Sequence, residues 1–379
     1  MTQAIVFKAA AVFDGVKLHE SAAVRFGANG VETFGAGVEI FSGAEVIDLG
    51  SAIISPGFVD LQVNGGGGVM LNDDPSVETV CRIAEAHWSL GTRAFLPTLI
   101  TDTREKTKAA IAAVTQAVEK DVPGVAGLHL EGPHLSVARK GAHDAAYIRP
   151  MDDEDLDFLL AAARSLPALL LTVAPENTTI QQVRQLSQAG ALVSIGHSDA
   201  DYATVQDYAA AGAKSVTHLF NEMSQMGNRE PGVVGAALGT GALSAGLIAD
   251  GIHVHPEMMR IALSAKSGPG EVFLVSDAMA VAGTSETSFE LDGRKILRSD
   301  GRLTLEDGTL AGADLDLLTA VRVLVSQVGF PMADALRAAT KTPAELIAGE
   351  RFKILGRSKD DFVRISKDLH FLGPLAEAG

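Results

Sequence analysis

The sequence has 379 residues, 47% of them hydrophobic, and is therefore long enough to bury a large core. Its formal net charge of −16 disfavours a nucleic-acid-binding function, which needs a basic face. The single cysteine, Cys81, excludes an intrachain disulfide. The sequence shows neither a secretory signal pattern nor an apolar run of about 20 residues, so we expect a cytoplasmic protein that contacts no membrane.

Residues 1 to 55 contain short apolar runs separated by glycine-rich turns, without a helical period of any length. This pattern predicts a small β unit that precedes the main domain. Its predicted strands cover residues 4–13, 22–26, 31–34, 45–49 and 52–54.

From residue 56 the pattern becomes strand, loop and helix, repeated eight times within about 225 residues, which is typical of a (β/α)8 TIM-like barrel. A doubly wound open sheet is the alternative, although polar residues spread over at least four strand ends favour the closed barrel. The predicted strands cover residues 58–63, 93–99, 125–131, 168–174, 191–197, 213–218, 243–250 and 271–277, and the helices between them include residues 77–90, 104–119, 152–165, 180–189 and 256–265.

After the eighth strand, residues 288–297 and 301–306 predict hairpin strands with turns at Asp292-Gly293 and Asp300-Gly301. Residues 315–328 and 332–339 predict the last helices, and residues 361–365 and 369–372 predict two final strands. We expect these strands to rejoin the N-terminal β unit. The predicted fold is thus an α/β barrel over residues 56–346, with a small β-sandwich domain from residues 1–55 and 347–379.

Four predicted strands end on residues that can bind metal or transfer protons. Glu131 ends the third strand, His197 and His218 end the fifth and sixth, and Asp277 ends the eighth. Because such folds keep their chemistry at the carboxyl ends of parallel strands, these residues predict a metal site with a proton-transfer group beside it. Any one of them alone would fit a capping or turn role equally well.

Seven short motifs follow one another along the chain. They are PGFVD at 56–60, HLEGP at 129–133, GHSD at 196–199, THLFN at 217–221, NREPG at 228–232, ADGIH at 249–253 and VSDAM at 275–279. Each motif is moderately specific, and the ordered set is highly specific. The set resembles the N-acetylglucosamine-6-phosphate deacetylase family of the amidohydrolase superfamily, and the resemblance covers residues 56 to about 345.

The resemblance implies that Glu131, His197 and His218 bind one divalent metal ion, with Asp277 acting first as general base and then as general acid. Zinc is the expected metal, and iron, cobalt or manganese would suit the same ligands. Two imidazoles and a carboxylate leave a coordination position open, as in catalytic zinc sites.

The resemblance also implies a substrate site and a homodimer, because a partner subunit commonly contributes to the phosphate site in this family. Arg229 and His253 are expected to hold the phosphate, and His143 to orient or polarise the acetyl carbonyl. The expected substrate contacts are Ala142, His143, Asn221, Glu222, Arg229, His253, Leu310, Ala311 and Gly312.

The sequence departs from the common amidohydrolase pattern after the first strand. Many members have a His-x-His pair there that holds a second metal, whereas this chain has Gln62 and Asn64. Amides are poor metal ligands, so we interpret these two residues as a vestigial second metal position. Glu222 is a second departure, because the family often has a small residue there.

The implied activity is metal-dependent hydrolysis of the acetamide of N-acetyl-D-glucosamine 6-phosphate to D-glucosamine 6-phosphate and acetate, in amino-sugar catabolism. The main alternative is a deacetylase of N-acetylgalactosamine 6-phosphate or another N-acyl sugar phosphate. A silent sugar-phosphate-binding protein and a cyclic-amide hydrolase are the remaining alternatives. The first is disfavoured by Asp277, and the second by the phosphate residues.

Overall fold

The computed structural model describes residues 4–291, 293–349 and 352–378. The N-terminal segment forms strands at all five predicted places, each with edges within a few residues of the prediction. In chain order they are β1 (Ile5–Phe13), β2 (Leu18–Gly27), β3 (Gly30–Gly35), β4 (Glu45–Asp48) and β5 (Ile53–Pro56).

A parallel eight-stranded sheet follows, and its strands succeed one another in chain order around the barrel. All eight predicted strands are present, so the predicted barrel is confirmed. The first barrel strand is β6 (Phe58–Val63), and a separate small hairpin of β7 (Gly65–Gly66) and β8 (Val69–Met70) follows it. The other seven barrel strands are β9 (Thr92–Ile100), β10 (Leu128–Glu131), β11 (Leu169–Val173), β12 (Leu192–Ile195), β13 (Ser215–Val216), β14 (Ser244–Leu247) and β15 (Val272–Leu274).

The sheet closes between its first and last strands, which excludes the open-sheet alternative. Val63 and Ala278 form a parallel bridge. On either side of it, the Asp277 amide donates to the Gln62 carbonyl at 3.1 Å, and the Asn64 amide donates to the Ala278 carbonyl at 2.9 Å. Residues after β15 therefore pair with the end of β6.

Helices cover the outside of the barrel, and most begin at side chains suited to capping. The Thr103 hydroxyl caps α2, and α3 begins with a reciprocal capping box between Asp152 and Asp155. The structure adds α5, α6 and α10 to the predicted helices. The helices are α1 (Val77–Ser89), α2 (Arg104–Glu119), α3 (Asp153–Ser165), α4 (Ile180–Gln188), α5 (Tyr202–Ala211), α6 (Gly232–Gly239), α7 (Pro256–Ala265), α8 (Leu317–Val323), α9 (Met332–Ala339) and α10 (Lys341–Ala348).

An antiparallel four-stranded sheet follows the eighth barrel strand and includes the predicted hairpins. Asp300 and Gly301 both have positive φ, as the predicted tight turn requires. Asp292 of the other predicted turn lies outside the described residues. The strands are β16 (Ser288–Leu291), β17 (Arg294–Ser299), β18 (Arg302–Thr304) and β19 (Leu310–Ala313).

The two ends of the chain combine, as predicted, in one seven-stranded sheet. Strands β20 (Phe362–Ile365) and β21 (Phe371–Pro374) extend it, because β20 pairs antiparallel with β5. Phe362 lies fully buried with its ring 5.7 Å from that of Phe26. This packing fixes the C-terminal strands on the N-terminal ones, while the exact limits of the β domain stay a prediction.

Within the described residues, no helix has the length and apolar character needed to cross a membrane.

Candidate metal and catalytic site

Three of the predicted strand-end residues meet at one point in the mouth of the barrel. Glu131 is the last residue of β10, whereas His197 and His218 each lie two residues beyond β12 and β13. Glu131 Oε1 lies 3.2 Å from His197 Nε2 and 3.0 Å from His218 Nε2, and the two nitrogens are 3.1 Å apart. All three side chains are buried. We call these residues the strand-end cluster.

The chemistry of the strand-end cluster fits a bound cation. His197 Nδ1 donates to the Arg139 carbonyl at 2.7 Å, so in the neutral ring Nε2 carries a lone pair directed at the Glu131 carboxylate. Two acceptors that face each other in a buried site need a proton or a metal ion between them. Ligand atoms that bind one zinc-like ion at about 2.0 to 2.2 Å lie roughly 3 Å from one another. The three atoms of the strand-end cluster have this spacing.

His143 lies beside the strand-end cluster and offers an alternative ligand. Together with Glu131 and His197 it places ligand atoms within 4.8 Å of one another. However, His143 Nε2 is 3.8 Å from Glu131 Oε2, whereas His218 Nε2 approaches Glu131 Oε1 to 3.0 Å. The shorter distances favour His218 as the third ligand.

The protonation of His143 follows from its contacts with Thr101. The Thr101 amide, which can only donate, points to His143 Nδ1 at 3.3 Å, and the Thr101 hydroxyl lies 2.8 Å from the same atom. Burial, together with the charge of His197, lowers the pKa of His143 to about 3. The ring is therefore neutral at pH 7, with its proton on Nε2.

Opposing effects of burial and mutual contact set the pKa values of the strand-end cluster. Burial would raise the pKa of Glu131, but hydrogen bonds from His197 and His218 hold it well below its usual range. Burial would likewise lower the pKa of His218, but the hydrogen bond and charge of Glu131 raise it to about 9. The carboxylate thus stays ionised and attracts positive charge.

Asp277 lies next to the strand-end cluster and is held by two amides. Asn64 Nδ2 donates to Asp277 Oδ1 at 2.7 Å, and Gln62 Nε2 donates to the same oxygen at 3.1 Å and to Glu131 Oε1 at 3.0 Å. Burial, with the nearby charge of Glu131, raises the pKa of Asp277 to about 6. The predicted vestigial position therefore presents N–H donors to both carboxylates.

The backbone is strained at several site residues. His197, His218 and Asp277 have φ values of 47°, 27° and 52°, in the left-handed region that side chains with a Cβ rarely adopt. Each such conformation costs about 1 to 3 kcal/mol and persists where the surrounding structure enforces it. No sequence pattern indicated this strain, which aims three side chains inward at the ends of their strands.

A cavity of about 310 Å³ opens above the strand-end cluster and Asp277. Arg229 is exposed on the loop before α6 and does not line the cavity of its own subunit, so its expected phosphate contact stays a prediction. Ala311 is buried in an apolar cluster behind the cavity wall. The expected substrate residues that do line the cavity are Ala142, His143, Asn221, Glu222, His253, Leu310 and Gly312, and the sequence analysis did not identify the lining residues Ile100, Gly141, Ile248, Met279, Leu291 and Thr309.

His129 lies inside the barrel below the strand-end cluster. Its Nδ1 is 3.2 Å from the Thr98 hydroxyl and its Nε2 is 2.8 Å from the Thr172 hydroxyl, which in turn contacts Thr217. Burial lowers the pKa of His129 to about 4. The ring is therefore a satisfied, neutral group that ties neighbouring strands together.

Residues 53–349 match the amidohydrolase family model, and the chain belongs to this family. Members of the family are metal-dependent, and the site described above is a candidate three-residue metal site. The protein is similar to named sugar-phosphate deacetylases over most of its length. It is 41% identical to the N-acetylgalactosamine-6-phosphate deacetylase of a Shewanella species over 86% of this chain and 82% of that protein.

Two further relatives are named N-acetylglucosamine-6-phosphate deacetylase. The N-acetylglucosamine-6-phosphate deacetylase of Haemophilus influenzae is 37% identical over 82% of this chain and 81% of that protein. The crystal structure of the enzyme of that name from Pasteurella multocida superimposes with a TM-score of 0.91 at 32% identity, over 98% of this chain and 97% of that one. The barrel and the terminal sheet are thus shared with these deacetylases.

We predict that Glu131→Gln reduces the metal content of the purified protein at least tenfold, because an amide oxygen is a weak, neutral ligand. The measurement is elemental analysis of metal per subunit. Glu222→Gln is the matched control, since Glu222 lines the same cavity without contacting the strand-end cluster. Full metal content in a folded Glu131→Gln variant would remove Glu131 from the ligand set.

Proposed function

We propose that the protein hydrolyses the acetamide of N-acetyl-D-glucosamine 6-phosphate to D-glucosamine 6-phosphate and acetate, in amino-sugar catabolism. The observation that most supports this proposal is the pairing of the strand-end cluster with the buried carboxyl of Asp277 in one cavity. Similarity to deacetylases of this name supports the substrate. We assign the reaction to the cytoplasm because the lone Cys81 suits a reducing compartment.

One divalent ion, most simply zinc and otherwise iron, cobalt or manganese, would be held by Glu131, His197 and His218, where its Lewis acidity would polarise the amide carbonyl and activate a water. Asp277 would accept a proton from that water as the new C–O bond forms. It would then donate the proton to the amide nitrogen as the C–N bond breaks, so that the sugar amine leaves neutral. The pKa near 6 makes Asp277 mainly a carboxylate at pH 7, ready to accept the proton.

His143 would bind the acetyl carbonyl. Because Thr101 occupies Nδ1, the Nε2 proton is free to donate to the carbonyl oxygen as negative charge develops there. A neutral donor suits this role beside a metal site, since a second cation would compete with the metal for the same carboxylate.

A homodimer would complete the phosphate site. His253 and Asn221 line the cavity, whereas the exposed Arg229 lies outside the cavity of its own subunit. Among the described residues, none forms a hydrogen bond or ion pair with the Arg229 guanidinium, whose planar fork suits phosphate oxygens. We propose that Arg229 reaches the cavity of a partner subunit.

Deacetylation of N-acetylgalactosamine 6-phosphate is the second candidate. The relative that is 41% identical to this chain is named for the galacto epimer. The two substrates differ in the orientation of one hydroxyl, which the same metal and proton-transfer groups would serve equally.

The direct test is acetate release from N-acetylglucosamine 6-phosphate, its galacto epimer and unphosphorylated N-acetylglucosamine. We predict fast release from a phosphorylated sugar, release at least tenfold slower from the unphosphorylated one, and loss of activity after chelation that added metal restores. Faster release from the galacto epimer would favour the second candidate. No release from any sugar by metal-loaded protein would refute the proposal.

We predict that Asp277→Asn lowers kcat by about 10² to 10⁴ while the metal content and KM stay near wild type. Asparagine keeps the shape and the oxygen that accepts from Asn64 and Gln62, but it cannot take up a proton. Steady-state kinetics and elemental analysis measure both properties. Loss of metal in this variant would contradict the assigned role.

We predict that Arg229→Ala lowers kcat/KM for the phosphorylated sugar at least tenfold and leaves the unphosphorylated sugar unaffected. Co-expression of Arg229→Ala with Asp277→Asn tests which subunit supplies Arg229. If Arg229 acts across the interface, each mixed dimer contains one intact site, and random mixing restores about one quarter of wild-type activity. No restoration would show that Arg229 serves its own subunit.

A further inference from the structure

The loop after β14 holds His253 through the carboxyl group of Asp250. Asp250 Oδ1 accepts hydrogen bonds from the amides of Ile252 and His253, both at 2.8 Å. Its Oδ2 lies 2.6 Å from His253 Nδ1. The side chains of Asp250 and His253 are only 5% and 8% exposed, so water competes little for these bonds.

This arrangement fixes which ring atom of His253 faces the cavity. An ionised carboxylate only accepts, so Nδ1 carries a proton and donates it to Asp250. Because His253 lines the cavity, Nε2 is the ring nitrogen left for a ligand. In the neutral ring Nε2 would present a lone pair, which repels an anion, whereas in the imidazolium it presents a donor.

The residues that line the cavity leave few groups to face an anionic ligand. Glu131, Glu222 and Asp277 line the cavity, whereas the described residues that line it include no lysine or arginine. His143 lies beside the strand-end cluster, and His197 and His218 face the Glu131 carboxylate. His253 is therefore the lining histidine that remains to face an anion, and the Asp250 carboxylate fixes the orientation of its ring.

We infer that Asp250 is a positioning residue that holds His253 through Nδ1 and so presents Nε2 to the phosphate of the substrate. The inference rests on the proposed function for the identity of the substrate. The Asp250 carboxylate, the His253 ring and the phosphate would then lie in line, with the ring between the two anions. Asp250 itself touches neither the substrate nor the metal ligands.

The experiment compares Asp250→Asn with wild type in binding and in turnover. Asparagine keeps an oxygen for the two amides but offers an N–H to His253 Nδ1, which removes the negative charge and moves the ring proton to Nε2. We expect the Kd for glucosamine 6-phosphate, measured by calorimetry, and the KM for N-acetylglucosamine 6-phosphate to rise at least tenfold. We expect kcat, and kcat/KM for unphosphorylated N-acetylglucosamine, to change less than twofold.

The terminal sheet offers a matched control. Asp14 accepts from the amides of Val16 and Lys17 through Oδ1, both at 2.7 Å, and contacts His19 Nε2 through Oδ2 at 2.7 Å. The pair thus reproduces the contacts of Asp250 far from the cavity, and Asp14→Asn should change none of these values. A double-mutant cycle with His253→Gln adds a second test, because Asp250→Asn should have no further effect once the imidazole is gone.

The outcomes separate the inference from the proposed function. Equal losses for the phosphorylated and unphosphorylated sugars, no loss at all, or additive losses in the double mutant would each overturn the role of Asp250. If wild type releases no acetate but binds glucosamine 6-phosphate more weakly after Asp250→Asn, the proposed function fails and the inference stands. If wild type does not bind glucosamine 6-phosphate, both fail.

Discussion

The site depends on one electrostatic constraint, which is that the Glu131 carboxylate lies within 3.2 Å of two imidazole nitrogens in a buried place. The Arg139 carbonyl fixes the His197 ring so that Nε2 faces the carboxylate, and this buried arrangement needs a proton or a metal ion between the two atoms. Left-handed backbone at His197 and His218 aims the rings at this point. The barrel supplies the rigidity that sustains this strain.

Closure of the barrel then places the proposed proton-transfer group. The residues after β15 pair with the end of β6, and this pairing brings Asp277 beside Gln62 and Asn64. These amides donate to one oxygen of Asp277 and leave the other available for proton transfer. Neutral N–H groups thus orient the Asp277 carboxylate, with less effect on its charge than a metal ion at this position would have.

The sequence predicted the barrel and the strand-end cluster because both depend on local features. A buried parallel strand is a continuous apolar run, and its last residue marks the functional end of the sheet. Such local features could not predict contacts between residues that are far apart in the sequence. The Thr101 contact that sets the His143 proton links two loops, and the exposure of Arg229 depends on the path of a whole loop. Helix α6 is buried almost throughout, so it lacks the amphipathic period that identifies surface helices.

The most direct test of this account is a crystal structure of the purified protein with anomalous data collected at the absorption edge of its bound metal. The account predicts one strong anomalous peak per subunit, within about 2.0 to 2.3 Å of Glu131, His197 and His218. A second peak of equal height beside Gln62 and Asn64 would contradict the single-metal site. A fully occupied peak bound to His143 in place of His218 would contradict the ligand assignment.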